Sequence, residues 1–194
     1  GANSSSQGTN AIAMGYCATT TGENAIAIGM TANASSWGAI ALGRQSVAAA
    51  NNTTAIGLGS NASSLSATAV GTNASASGVS SIALGDSAAA TGSYGVALGG
   101  KAAGVYSISV GNSSSTTGNY AIAMGYNATS AGNGIAQGFN ATAVANAVSL
   151  GSSSKALGQD SVAIGSNTNA SASNAVSLGN GANATNANDV ALGA

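Results

Sequence analysis

Asn24-Ala25-Ile26-Ala27-Ile28-Gly29 is followed fourteen residues later by Gly38-Ala39-Ile40-Ala41-Leu42-Gly43, and the same phrase returns near the end as Asp189-Val190-Ala191-Leu192-Gly193. The phrase is a β-branched residue, a small residue, an aliphatic residue and glycine. Its glycines are Gly15, Gly29, Gly43, Gly57, Gly71, Gly85, Gly99, Gly111, Gly125, Gly138, Gly151, Gly165, Gly179 and Gly193, with Gly1 in phase. Ten of the thirteen intervals are 14 residues, and the others are 12, 13 and 13. Self-similarity at a fixed period over a whole chain is the mark of a repeat architecture, so it is read before any local propensity.

Three residues before each glycine all fourteen positions are β-branched, with Thr54 and Thr68 the two that are not Ile or Val. One residue before it thirteen of fourteen are Ile, Leu, Val or Met, Gln137 being the exception. Ala or Ser stands between them every time. Alternation with β-branched enrichment predicts a strand, since a helix needs period 3.6. The large pair shares one face, which predicts a core of Ile12, Met14, Ile26, Ile28, Ile40, Leu42, Ile82, Leu84, Ile122, Met124, Val176, Leu178 and their equivalents. The small column (Ala13, Ala27, Ala41, Ala83, Ala97, Ala123) then points away from that core. Two readings account for it: another chain packs closely against these residues, or tight coil geometry alone demands small side chains.

Small residues also recur three and five places after the glycine, as at Ala18, Ala32, Ala34 and Ala76, and glycine recurs seven places after it, as at Gly22, Gly78 and Gly118. These predict a second short strand with small inward side chains facing the large ones, and two turns per coil where glycine relieves the backbone. The fold expected is an all-β parallel β-roll of about fourteen 14-residue coils, roughly 65 Å long at ~4.8 Å per coil. Around Gly57-Leu58-Gly59 the phase of the following residues suggests a two-residue insertion in one turn.

Composition removes several function classes. Only 4% of the 194 residues are charged, against about 25% in ordinary soluble proteins. Three scattered cations, Arg44, Lys101 and Lys155, cannot form the basic patch that nucleic acid or an anionic membrane surface requires. With no His, one Cys and four separated acids, neither a nucleophile–base pair nor a metal-ligand cluster can be assembled, so no catalytic residue, metal or cofactor is expected. A single cysteine, Cys17, excludes an internal disulfide framework. No apolar run approaches the ~18 residues that span a bilayer.

Asp160-Ser161-Val162-Ala163-Ile164-Gly165-Ser166, with near variants at Asn24-Gly29, Asn146-Gly151 and Asn174-Gly179, resembles the head repeats of trimeric autotransporter adhesins of the YadA type over essentially the whole chain. The resemblance implies a left-handed parallel roll and a homotrimer about a common axis. It also implies display at the bacterial outer-membrane surface, a role in virulence, and binding to collagen, fibronectin, laminin or host cells. Neck, heptad stalk and C-terminal membrane anchor are not seen, so residues 1–194 are expected to be a single head domain, a fragment whose attachment to the membrane lies elsewhere. The motif residues Val162, Ile164 and Gly165 become candidate ligand-binding positions on this resemblance.

Tyr94, Tyr106 and Tyr120 each precede their glycine by five residues, in consecutive coils. Stacked, they would form one ladder that either anchors a ligand or simply stiffens the roll. Tyr16, Tyr126 and Phe139 share the position after glycine and are expected to cover a turn. Two other functions fit a low-charge solenoid: ice binding, which needs an uninterrupted Thr or Ser array, and a purely structural surface or fibre segment. The mixed Ser, Asn, Thr, Gln and Ala columns argue against the first.

Overall fold

The computed structural model describes residues 1–193. Contacts divide the chain into two compact units, one from Gly1 to Gly99 and the other from Gly100 on. Each consists of short parallel strands only, alternating between three residues and two.

In the first unit the two-residue strands, from Ser5–Ser6 to Ala89–Ala90, supply seven parallel strands of one sheet, and the three-residue strands, from Ile12–Met14 to Val96–Leu98, supply seven of another. The second unit repeats the plan from Lys101–Ala102 to Asn183–Ala184 and from Ile108–Val110 to Val190–Leu192. These are called the doublet and triplet sheets below. Register follows the sequence repeat: Ile26, Ala27 and Ile28 lie beside Ile40, Ala41 and Leu42. Each coil bonds to the next through main-chain groups, as where the Ile26 amide donates to the Ala39 carbonyl at 2.9 Å. Both units are therefore parallel β-solenoids.

In the first unit two residues per coil turn the chain from the left-handed region, two and nine places after each repeat glycine. The shorter coils of the second unit bring the later one closer, as at Asn133 and Asn146; Asn24 (φ 56°), Asn73 (φ 54°) and Asn174 (φ 59°) are typical. Asn tolerates this region best among residues with a Cβ, which explains the asparagines that recur there. The repeat glycine has a different constraint. Gly29 sits at φ 134°, and a Cβ there would lie 2.6 Å from the Gly43 carbonyl carbon. The second glycine column, as at Gly22, is not held at positive φ, contrary to expectation; there a Cβ would collide with the Ser36 carbonyl of the next coil.

Throughout the first unit, four residues link triplet to doublet strands and five link doublet to triplet. The insertion expected near Gly57 is absent: Gly59 (φ 64°) simply occupies the left-handed position, and Asn61 stays in register with Val47 and Ser75. In the second unit, two doublet-to-triplet links, 131–134 and 144–147, are four residues long and account for both 13-residue intervals.

The packing reverses the expected polarity of the triplet strands. Ala27, Ala41, Ala83, Ala97 and Ala123 are fully buried inside the chain, and Ala13 in the terminal coil is half-buried. The residues predicted as core lie outside: Ile12, Met14, Ile28, Ile82, Leu84 and Met124 are exposed, while Ile26, Ile40, Leu42, Ile122, Val176 and Leu178 are half-buried. Interior width is the cause. The four inward columns hold small residues, and the largest fully buried side chains are Thr20, Thr53, Thr116 and Thr168. The Ser109 and Ser114 hydroxyls meet at 2.7 Å, as do those of Ser149 and Ser154. An interior that two serines can bridge has no room for isoleucine. Tight coil geometry thus explains the Ala/Ser column, and large-opposite-small packing is replaced by small against small.

Candidate interaction surface

Each unit presents three kinds of outer surface: the aliphatic triplet face, the polar doublet face and the turns. None is an enclosed site.

The triplet face is continuous and without charge. Its residues stand three and one places before the glycine in every coil, and none is Asp, Glu, Lys or Arg. Its exposed members run from 36% at Ile56 to 76% at Leu192, and the others are half-buried. Single exposed aliphatics are ordinary, but a contiguous stripe marks a surface that associates. Covering the open half of one such side chain is worth about 1 kcal/mol, and the stripe repeats this in coil after coil. Val162 (half-buried) and Ile164 (exposed) belong to this face, while Gly165 (φ 129°) begins the following turn. The candidate ligand residues of the motif are thereby brought onto the same stripe as the residues expected in the core.

The doublet face is polar and nearly uncharged. Its outward column in the second unit runs Lys101, Ser115, Thr129, Thr142, Lys155, Asn169, Asn183. Hydroxyls and amides in this column bond to one another from coil to coil: Thr129 Oγ1 donates to Thr142 Oγ1 at 3.3 Å, and Asn169 Nδ2 to Asn183 Oδ1 at 2.9 Å. Two open hollows indent the face, one of about 420 Å³ beside Ser153, Lys155, Leu157 and Asn169, the other of about 220 Å³ beside Ser115, Thr117, Thr129 and Thr142. The lysines interrupt the hydroxyl row, so an unbroken Thr or Ser lattice is not present here.

Aromatic residues occupy the turns that border the triplet face. Tyr94 in the first unit and Tyr106 and Tyr120 in the second all adopt the left-handed conformation (φ 56–57°), where a bulky side chain is uncommon. Tyr106 and Tyr120 stack with ring centres 5.6 Å apart and planes 9° from parallel. On the opposite border Tyr126 and Phe139 stack at 5.7 Å. Parallel stacking turns ring faces toward each other and leaves edges for a partner. Cys17 is free, half-buried and also left-handed (φ 52°).

Sequence reasoning missed the triplet face as an exposed apolar stripe because it placed those residues inside. The signal was present: four columns of each repeat accept only small residues, whereas two accept large aliphatic ones.

Comparison with known proteins agrees with the geometry. The family model for the YadA head domain repeat (2 copies) matches residues 1–32, 34–60, 52–74, 62–88, 76–102, 102–128, 145–168 and 170–194. Among solved structures, the collagen-binding domain of the Yersinia adhesin YadA aligns with a TM-score of 0.58 and 32% identity, over 61% of this chain and 68% of that one. No match is found among the curated proteins.

Proposed function

Because the chain belongs to the YadA head-repeat family, a non-enzymatic adhesin fold of surface-exposed trimeric autotransporters, we propose that it forms a homotrimeric head that binds collagen. The observation that carries this reading is the uncharged aliphatic triplet face, open in the single chain along both units. A face that repeats identically from coil to coil is matched in length and chemistry by another copy of itself. Three copies about a common axis give each triplet face two neighbours and leave the doublet faces outside. This places Val162 and Ile164 against partner chains and assigns ligand contact to the doublet face and its bordering tyrosines.

Collagen is favoured over fibronectin or laminin because the similar solved structure is a collagen-binding domain. The doublet face also suits it: a row of hydroxyls and amides at ~4.8 Å spacing offers many weak polar contacts to a long, regular rod. Three such rows on one particle raise apparent affinity by avidity, roughly 10²–10⁴-fold over one row. The bacterial outer-membrane surface is the expected site of display.

The test is surface binding of the purified head to triple-helical collagen, heat-denatured collagen, fibronectin and laminin. Saturable binding to native collagen, weakened at least about tenfold by Thr129→Asp with Thr142→Asp, supports the reading. Equal, low binding to all four surfaces contradicts it and favours a structural role.

A further inference from the structure

Gln137 breaks the rule of the triplet face. The other six residues at its position in the second unit are Val110, Met124, Leu150, Ile164, Leu178 and Leu192. Gln137 lies in register between Met124 and Leu150, exposed on the same stripe. Among the described residues its side-chain amide has no hydrogen-bond partner within the chain. It also falls in 129–144, the longest stretch that the head-repeat family model leaves unmatched, together with the shortened link 131–134.

A repetitive interface carries an ambiguity that an ordinary one does not. If one chain slides along its neighbours by a single coil, every aliphatic residue meets an equivalent one, and only the contacts of a terminal coil are lost. Hydrophobic burial therefore specifies association but hardly specifies register. Resting on the trimer reading, we infer that Gln137 sets the axial register of the three chains. A threefold axis brings equivalent residues to the same height, so three Gln137 amides share one layer, where each can donate to and accept from its neighbours. Sliding one chain by a coil instead presses its amide against Met124 or Leu150 of both partner chains, buried without a partner for its polar atoms. The other two amides keep only each other, so the penalty is full on the sliding chain and partial on its neighbours. A lone polar residue in an apolar seam fixes register in coiled coils by the same physics.

The experiment moves the amide by one coil without changing composition. Wild-type chain carrying a mass tag is co-expressed with the double variant Gln137→Leu/Leu150→Gln, and the trimers are counted by native mass spectrometry. Tagged and untagged wild type should mix at random, with roughly three quarters of trimers mixed. Wild type with the double variant should sort, the mixed fraction falling to about a tenth or less. The mirror swap Gln137→Met/Met124→Gln carries the same expectation and serves if the first variant assembles poorly by itself. Random mixing in both pairs, with Ile164→Cys placed in both chain types and cross-linking between them at equal height, overturns the register inference while leaving the trimer intact. Absence of any wild-type trimer refutes the trimer reading itself.

Discussion

Ala83 and Leu84 are consecutive residues of one strand, yet the small one is sealed inside the chain and the large one stands 37% exposed outside it. An ordinary globular core would have the reverse. The contrast holds for both units and shows that, in a coil this thin, size decides which residue goes in and hydropathy decides only what happens afterwards. The interior takes Ala, Ser and Thr because two sheets this close admit nothing larger. The aliphatics expelled from it remain apolar and line the face proposed to meet other copies of the chain. Interior and exterior are therefore specified by different properties of the same strand.

The largest expected effect comes from forcing the interior to accept what the exterior holds. Ala83→Leu overpacks a column whose neighbours, Ala69 and Ala97, are themselves fully buried. It should cost about 3 kcal/mol or more, read as a drop in the midpoint of thermal or denaturant unfolding. The matching change one residue on, Leu84→Asp, should leave the β-roll circular dichroism intact and lower the solution mass from about 54 kDa to the 17.9 kDa of one chain. If Ala83→Leu proves harmless while Leu84→Asp unfolds the coil, the assignment of inside and outside is wrong.

A smaller effect should follow at the turn between the two faces. Gly29→Ala places a Cβ at φ 134° against the Gly43 carbonyl, and should destabilise by about 2 kcal/mol. The finest comparison lies within the second unit's interior. Ser149 on a triplet strand meets Ser154, whereas two coils on the equivalent pair is Ser177 and Ala182, and the buried Ser177 hydroxyl has no partner. Ser154→Ala should therefore cost about 1 kcal/mol, while Ser177→Ala should be neutral or stabilise by up to about 1 kcal/mol, both measured by denaturant unfolding.

Much of the fold was legible because the repeat writes each structural position fourteen times. Strand placement, parallel pairing and the 14-residue register all follow from the Ile-Ala-Ile-Gly phrase. Which face of that phrase points inward did not follow, because alternation is symmetrical: period 2 separates two faces without labelling them. The label was carried by the second strand, where Ala32 and Ala34 both face in and are as small as Ala27. Four small columns against two large ones indicate a narrow interior once counted together. The apparent insertion at Gly57-Leu58-Gly59 misled for a related reason, since Gly59 resembles a repeat glycine but fills a left-handed position held in other coils mostly by Asn or Ser, and by Cys17, Thr31, Gln45 and Gly181. The ligand face was the least legible part. Its polar column mixes Ser, Thr, Asn and Lys, and only the fold shows that these side chains share one surface.

The central claim is that the aliphatic triplet face exists to meet other copies of the chain. Light scattering after size exclusion on the 194-residue chain tests it directly. A mass near 54 kDa, three times 17.9 kDa, is the expected result. A stable, monodisperse species near 18 kDa, with its triplet face open to water, would contradict the account.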